Sequence, residues 1–286
     1  MKNKKFKNSE INILLPLSGR EGAGGEGLNR LETLFANKSK NLLNIFCTAG
    51  FPHKDSTKEV VRSLQKYGAD MVEIGMPYSD PIADGPVIQH SNMVALQNGM
   101  NMQLIFEQLK EIKDELSIPV ILMGYLNPVL QYGMENFCKD AAAAGVSAVI
   151  LPDLPMYEFE NHYKKLFEKY ELKFIFLITP ETDKKRIKKA DRLSTGFLYA
   201  VSSSATTGNT AGLLSNEAYF KRLGEMKLKN PILIGFGINN RQDFEYTCAH
   251  VAGAIIGSAY IKTLEHASDI DNVTALFIKT LNPEIE

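Results

Sequence analysis

Three carboxylates, Glu73, Asp80 and Asp84, fall within twelve residues of one another in the stretch Met71-Val-Glu-Ile-Gly-Met-Pro-Tyr-Ser-Asp-Pro-Ile-Ala-Asp-Gly-Pro86. The first stands inside an apolar run that reads as a strand. The other two stand on the Pro- and Gly-rich loop that follows. Taking a carboxylate out of water is costly unless it is paired or protonated, so an acid in such a run needs a partner or a chemical role. Proton transfer is sufficient reason for it, and the loop supplies further acids close by.

The elements that would position these groups recur along the chain. Short runs rich in Ile, Val and Phe alternate from Leu31 onward with longer amphipathic runs rich in Lys and Glu, the pattern of successive βα units around a parallel sheet. Eight strands are expected: Leu42 to Cys47, Met71 to Ile74, Val120 to Met123, Ala148 to Leu151, Phe174 to Leu177, Phe197 to Val201, Ile232 to Ile234 and Ala254 to Ile256. Helices are expected over Ser56 to Tyr67, Met102 to Leu116, Met134 to Ala144, Glu158 to Tyr170, Asp183 to Arg192, Glu217 to Lys227, Arg241 to His250 and Asn272 to Thr280. A short extra N-terminal helix, Leu31 to Ala36, would plug one end. Count and size point to a (β/α)8 TIM barrel over residues 29–286. A doubly wound open sheet lacks its Gly-x-Gly-x-x-Gly turn after the first strand.

In a barrel, chemistry belongs to the loops leaving the carboxyl ends of the strands. Glu73 and the loop after it satisfy this. So do Ser202 to Gly212 after the sixth strand, Gly235-Phe-Gly-Ile238 after the seventh and Gly257-Ser-Ala259 after the eighth. Gly235 and Gly237 allow close backbone approach, and Gly257-Ser258 opens a helical run with a hydroxyl at a capping position. Together they would form a seat for phosphate built from N–H groups.

Composition narrows the field: 44% hydrophobic, 23% charged and a formal net charge of -1 exclude a disordered chain and a phosphate-backbone binder, so no nucleic-acid partner is expected. Cys47, Cys138 and Cys248 lie far apart without Cys-x-x-Cys spacing, and the five His are scattered. No disulfide framework and no metal is expected, and a reducing cytoplasm fits. No apolar run approaches the length of a membrane span. Residues 1–28 combine a basic start, a short apolar patch and a Gly-rich end, and read as a flexible extension outside the fold.

The run Glu73-Ile-Gly-Met-Pro-Tyr-Ser-Asp-Pro-Ile-Ala-Asp-Gly-Pro86 resembles the signature of the tryptophan synthase alpha subunit, and the likeness continues from about Leu31 to about Thr280. The resemblance implies a lyase of aromatic amino-acid biosynthesis. It would cleave indole-3-glycerol phosphate to indole and glyceraldehyde 3-phosphate by a retro-aldol reaction. No cofactor would reside in this chain; pyridoxal phosphate would sit in a partner beta subunit, within an alpha-beta-beta-alpha heterotetramer.

The family's two catalytic carboxylates fall on Glu73, as acid and then base, and on Asp84, as ionised acceptor for the indole N–H. Burial should raise the pKa of Glu73, whereas Asp84 has N–H groups and hydroxyls nearby. Thr207 and Gly208 match the loop that closes over the substrate, with Thr207 positioning the aspartate and Gly208 near the phosphate; Ala205-Thr206 replaces the commoner Gly-apolar pair before them. Phe46, Met123, Tyr125, Tyr199 and Phe236 match the indole pocket, and Asp80 the face towards the partner; Thr48, Asn127 and Asp153, just after the first, third and fourth strands, are candidates for the pocket's rim or for residues supporting it. Two other readings are a different phosphate-binding barrel, whose Schiff-base form would need a lysine that the expected strands lack, and a catalytically weak allosteric partner of the beta subunit.

Overall fold

The strands bury nearly all their residues because both faces of each are covered, one by the barrel interior and the other by helices. The computed structural model describes residues 29–201, 217–235, 237–238 and 240–281. Among them are nine parallel strands: β1 (Leu42–Thr48), β2 (Met71–Gly75), β3 (Val120–Met123), β4 (Ala148–Ile150), β5 (Lys173–Phe174), β6 (Leu177–Ile178), β7 (Leu198–Val201), β8 (Ile232–Gly235) and β9 (Gly253–Ile256). They are hydrogen-bonded in the order β5-β4-β3-β2-β1-β9-β8-β7-β6.

The two ends of that row are neighbours in sequence. Ile175 N donates to Val149 O and Tyr199 N donates to Phe176 O, both at 3.1 Å, so the residues between β5 and β6 join the edges and close a (β/α)8 barrel. The expected fifth strand, Phe174 to Leu177, is thus one barrel position in two pieces. The chain bends there, and its first half pairs with β4 while its second half pairs with β7.

Helices α1 (Arg30–Asn37), α2 (Ser56–Lys66), α3 (Pro86–Gln97), α4 (Met102–Ile112), α5 (Leu126–Tyr132), α6 (Met134–Ala143), α7 (Met156–Glu158), α8 (Lys164–Lys169), α9 (Lys184–Leu193), α10 (Glu217–Glu225), α11 (Arg241–His250), α12 (Ser258–Leu264) and α13 (Ile270–Leu281) surround the strands. The expected helix from Glu158 to Tyr170 is interrupted by a π-helical turn, Phe159–Tyr163. Two helices go beyond the sequence reading. α3 starts at Pro86, where the missing N–H costs nothing at a first helical position. α5 contains Pro128, again within the first turn, where no intrahelical donor is lost. Among the described residues no helix is long and apolar enough to cross a membrane.

Strand parity decides what faces inward. Leu42, Met71, Ile121, Ala148, Ile150, Ile175, Tyr199, Val201, Leu233 and Ile255 form one apolar cluster, the barrel interior. Their immediate neighbours, such as Leu43, Val72, Leu122, Val149, Ala200, Ile234 and Ala254, belong to a second cluster shared with the helices. Asn44 and Glu73 share the inward parity, so the alternation that fills the core also carries two polar groups into it.

The short N-terminal helix plugs the barrel floor. The Asn29 side chain caps it by accepting from Leu31 N at 2.9 Å and ties it down by donating to Ser147 O at 3.1 Å. The Arg30 guanidinium donates to Leu116 O and Gly145 O. Leu31 is fully buried within the interior cluster, and a side chain on Gly196 would run into it at 2.7 Å. Leu31→Ala should therefore leave a cavity and cost about 2–5 kcal/mol of stability, read as a lower denaturant midpoint.

Candidate active site

Glu73 lies in the middle of β2, with Phe46 of β1 and Ile121 of β3 as its register partners, and it is wholly buried. One oxygen, Oε2, accepts from Asn44 Nδ2 at 3.0 Å; the other, Oε1, is buried with no hydrogen-bond partner. Burial pushes the Glu73 carboxyl up to about 8, tempered by the Asn44 hydrogen bond and reinforced by the charge of Asp84. At neutral pH Glu73 therefore holds its proton.

Asp84 stands at the end of the loop after β2, just before α3. Its N–H donates to Pro81 O at 3.0 Å, which closes the turn, and its Oδ2 accepts from the Tyr125 hydroxyl at 3.0 Å. The same hydroxyl accepts from Ala83 N at 3.1 Å, so one phenol holds the loop at two consecutive residues. Tyr78 packs against the Tyr125 ring with centroids 5.1 Å apart, and Asn92 Oδ1 accepts from Tyr78 N at 3.0 Å. Burial raises Asp84 to about 6, with the Tyr125 hydrogen bond opposing the rise. The shift exceeds what its polar loop setting suggests, because the loop folds back over the barrel mouth. Burial thus raises both acids, and Glu73 the further of the two.

Tyr199 faces the same space. Its phenol is pushed well up by burial and then by the charges of Glu73 and Asp84. Burial followed by the Glu73 charge pushes the Cys47 thiol up to about 12. Glu73, Asp84 and Tyr199 are thus linked electrostatically, with Phe46 the register partner of Glu73 and Tyr125 hydrogen-bonded to Asp84.

The other expected site residues separate. Gly235 ends β8 beneath Tyr199, whose hydroxyl would lie 2.1 Å from any Cβ there, so packing alone already demands glycine at that position. Gly237 has φ +78, a left-handed turn that glycine adopts without strain. Ser258 is not a capping residue: it is the first residue of α12, the cap is Gly257, and no side chain bonds the cap. Thr48 Oγ1 shares a 2.7 Å hydrogen bond with Ser91 Oγ, and Asp153 accepts from Leu126 N, capping α5. Asn127 Nδ2 donates to the Tyr78 hydroxyl at 3.4 Å. Asp80 is exposed beside Ile82 at the loop tip and accepts from Ser79 Oγ at 2.5 Å. Thr207, Gly208 and Phe236 lie outside the described residues.

Two findings amend the sequence reading. Lys173 opens β5, so the strands do contain a lysine; its Nζ lies 2.5 Å from Glu32 Oε1 of the plugging helix, at the opposite end of the barrel from the carboxylates. That end also opens a cavity of about 460 Å³ lined by Asn29, Glu32, Phe167, Lys173 and Thr195, away from both acids. The second is Asn44, the hydrogen-bond partner of Glu73, which is not among the residues expected from the sequence. The signal was the same one that exposed Glu73, a polar side chain within an apolar strand. Among the described residues no cluster of three or more His, Cys, Asp or Glu could hold a metal ion.

Comparison with known proteins agrees with this fold. A family model for the tryptophan synthase alpha chain matches residues 33–284. The tryptophan synthase alpha chain of Bacteroides thetaiotaomicron is 46% identical over 243 residues, 85% of this chain and 95% of that one. Its counterpart in Flavobacterium psychrophilum is 50% identical over 228 residues, 79% and 90% respectively. Among solved structures, tryptophan synthase subunit alpha from Legionella pneumophila superimposes with a TM-score of 0.81 at 32% identity, covering 91% of this chain and 99% of that one. A tryptophan synthase complex from Pyrococcus furiosus gives 0.77 at 30%, covering 85% and 98%. With a match across the barrel and the run from Glu73 to Pro86 inside it, this chain belongs to the tryptophan synthase alpha chain family.

Proposed function

We propose that this lyase cleaves indole-3-glycerol phosphate with Glu73 and Asp84 as its acid–base pair. The observation that carries the assignment is the pair itself: two carboxylates at one barrel mouth, one raised to about 8 and the other to about 6. Protonated Glu73 gives its proton to indole C3. The ring nitrogen then carries positive charge, and its N–H donates to the Asp84 carboxylate, which stabilises the indolenine-like cation. Ionised Glu73 next takes the proton of the glycerol hydroxyl on the carbon attached to C3. As that carbon becomes the aldehyde of glyceraldehyde 3-phosphate, the carbon–carbon bond breaks and its electron pair restores the indole ring. Glu73 ends as it began, protonated.

Phe46, Met123, Tyr125 and Tyr199 are assigned as the apolar walls for indole, and the family resemblance assigns Phe236 to the same pocket. The phosphate is assigned to Gly208, Gly235, Gly237, Gly257 and Ser258, supported by the left-handed turn at Gly237 and the bare backbone at Gly257. Thr207 is assigned to orient Asp84 on loop closure.

The same reading gives this chain a beta-subunit partner, an alpha-beta-beta-alpha assembly, pyridoxal phosphate in the partner, and a cytoplasmic home. Exposed Asp80 and Ile82, on the loop that holds Asp84, would meet that partner and couple it to the site. Residues 29–286 are taken as one barrel domain, with residues 1–28 outside it.

The test is indole release from indole-3-glycerol phosphate by the purified chain, alone and with a cognate beta subunit, with size-exclusion run on the mixture. Indole should appear in both cases, faster with the partner, and the chain should co-elute with it in a larger complex. Complex formation without indole would support the silent allosteric partner instead.

A further inference from the structure

Within the interior of the barrel one hydrogen bond joins two side chains that are both fully buried and both left incomplete. Asn44 Nδ2 donates to Glu73 Oε2 at 3.0 Å, while Asn44 Oδ1 and Glu73 Oε1 are buried without partners. Burying an amide among Leu, Ile and Val costs stability unless it is satisfied. Asn44 is only partly satisfied, and an aliphatic residue at an inward-facing position of β1 would pack without that cost. Its one bond goes to the acid on which the proposed chemistry turns.

We propose that Asn44 is a positioning residue for Glu73: by donating to Oε2 it reserves Oε1 as the oxygen through which Glu73 gives and takes its proton. The inference rests on the assignment of Glu73 as the proton-transfer group. While Glu73 is protonated, Oε2 serves as the carbonyl oxygen that accepts from Asn44, so the acidic hydrogen sits on Oε1. After Glu73 has given its proton to indole C3, the same N–H donates to a carboxylate and stabilises it. A buried carboxylate with no donor would be far harder to reach, and the second half of the cycle needs that carboxylate. Asn44 thus serves both protonation states with little movement, and Oε1 stays open for the exchange of the proton.

Among the described residues, the titratable groups that interact electrostatically with Glu73 are Asp84 from the loop after β2, Tyr199 from β7 and, from the helix-facing side of β1, Cys47. All three are acids, so none donates a positive charge. Among the described residues, the Asn44 hydrogen bond is the contact that favours the ionised form of Glu73, which is why its removal should register there.

The test is Asn44→Leu, which keeps most of the volume and removes the donor, with Asn44→Ser as the second variant should the first fail to fold. kcat should fall about tenfold to a hundredfold with KM within about twofold, and the basic limb of kcat against pH should move up by about one to two pH units, the worth of a hydrogen bond to a charged group. Asn44→Ser, which keeps a hydroxyl donor, should lie between. Infrared titration of the Glu73 carboxyl without substrate, isolated by subtracting the Glu73→Gln spectrum, should show the same upward displacement. A folded variant with an unmoved limb and an unmoved infrared titration overturns the inference, whether or not its turnover has dropped. Glu73→Gln assayed alongside separates the two readings: if it retains turnover, the assignment of Glu73 fails; if it is inactive while Asn44→Leu behaves as wild type, only the role of Asn44 fails.

Discussion

Glu73→Gln should lose at least about a hundredfold in indole release and at the same time make the folded chain more stable at neutral pH. The two effects have one origin. Glu73 is an acid whose folded pKa, about 8, stands above its unfolded value of 4.5 because burial penalises its charge. Between those values the native state holds a proton that the unfolded chain has released. Stability must then fall as pH rises through that window and level off above it. From pH 4.5 to pH 7, at about 1.4 kcal/mol per pH unit, the wild-type chain gives up roughly 3 kcal/mol. Glutamine has nearly the same shape, never ionises, and brings an amide N–H that can reach the unpartnered Asn44 Oδ1. Denaturant midpoints of the two proteins should therefore nearly coincide around pH 4.5 and diverge towards pH 8, with the variant the more stable. A constant difference at every pH would mean that Glu73 does not stay protonated in the folded chain, and wild-type turnover in the variant would remove it from the mechanism.

That a functional group destabilises its host explains why Glu73 could be read from the sequence. An acid in Met71-Val-Glu-Ile-Gly contradicts its surroundings, and the contradiction is visible in residue types alone. Asn44 in Leu42-Leu-Asn-Ile45 makes the same statement more quietly, because a neutral amide is a milder intruder than a carboxylate, and it went unread. Strand existence was equally legible, since a strand covered on both faces shows as an unbroken apolar run. How the fifth barrel position divides was not, because the break at Ile175-Phe176 lies within a continuous apolar run and is set by which neighbour each half pairs with. Helix α3 was hidden by treating Pro86 as the end of a loop, when a Gly-Pro step serves as well for a helix start. Tyr125 was read as an aromatic wall of the pocket. Its hydroxyl bond to Asp84 spans 41 residues of chain, a contact that only the closed barrel creates.

That contact opposes the rise that burial imposes on Asp84. On the proposed mechanism, cleavage requires Asp84 ionised and Glu73 protonated, so kcat/KM should rise through about pH 6 and fall through about pH 8, a bell whose two limbs belong to the coupled pair. Asp84→Asn removes the anion that offsets charge on the indole nitrogen and should lower kcat by about 10² to 10³. It should also abolish the acidic limb. Because the charge of Asp84 is one of the causes that raise Glu73, the basic limb of the residual activity should move down rather than stay in place. Tyr125→Phe does the opposite to the acidic side. Without the phenol's hydrogen bond nothing offsets burial at Asp84, its proton affinity rises, and the acidic limb should climb, so the variant loses more activity at pH 6 than at pH 7.5. Rate profiles of the three proteins decide the matter: an acidic limb that persists in Asp84→Asn would assign that titration to another group, and a basic limb unmoved by the loss of the Asp84 charge would mean that the two carboxylates do not share one site.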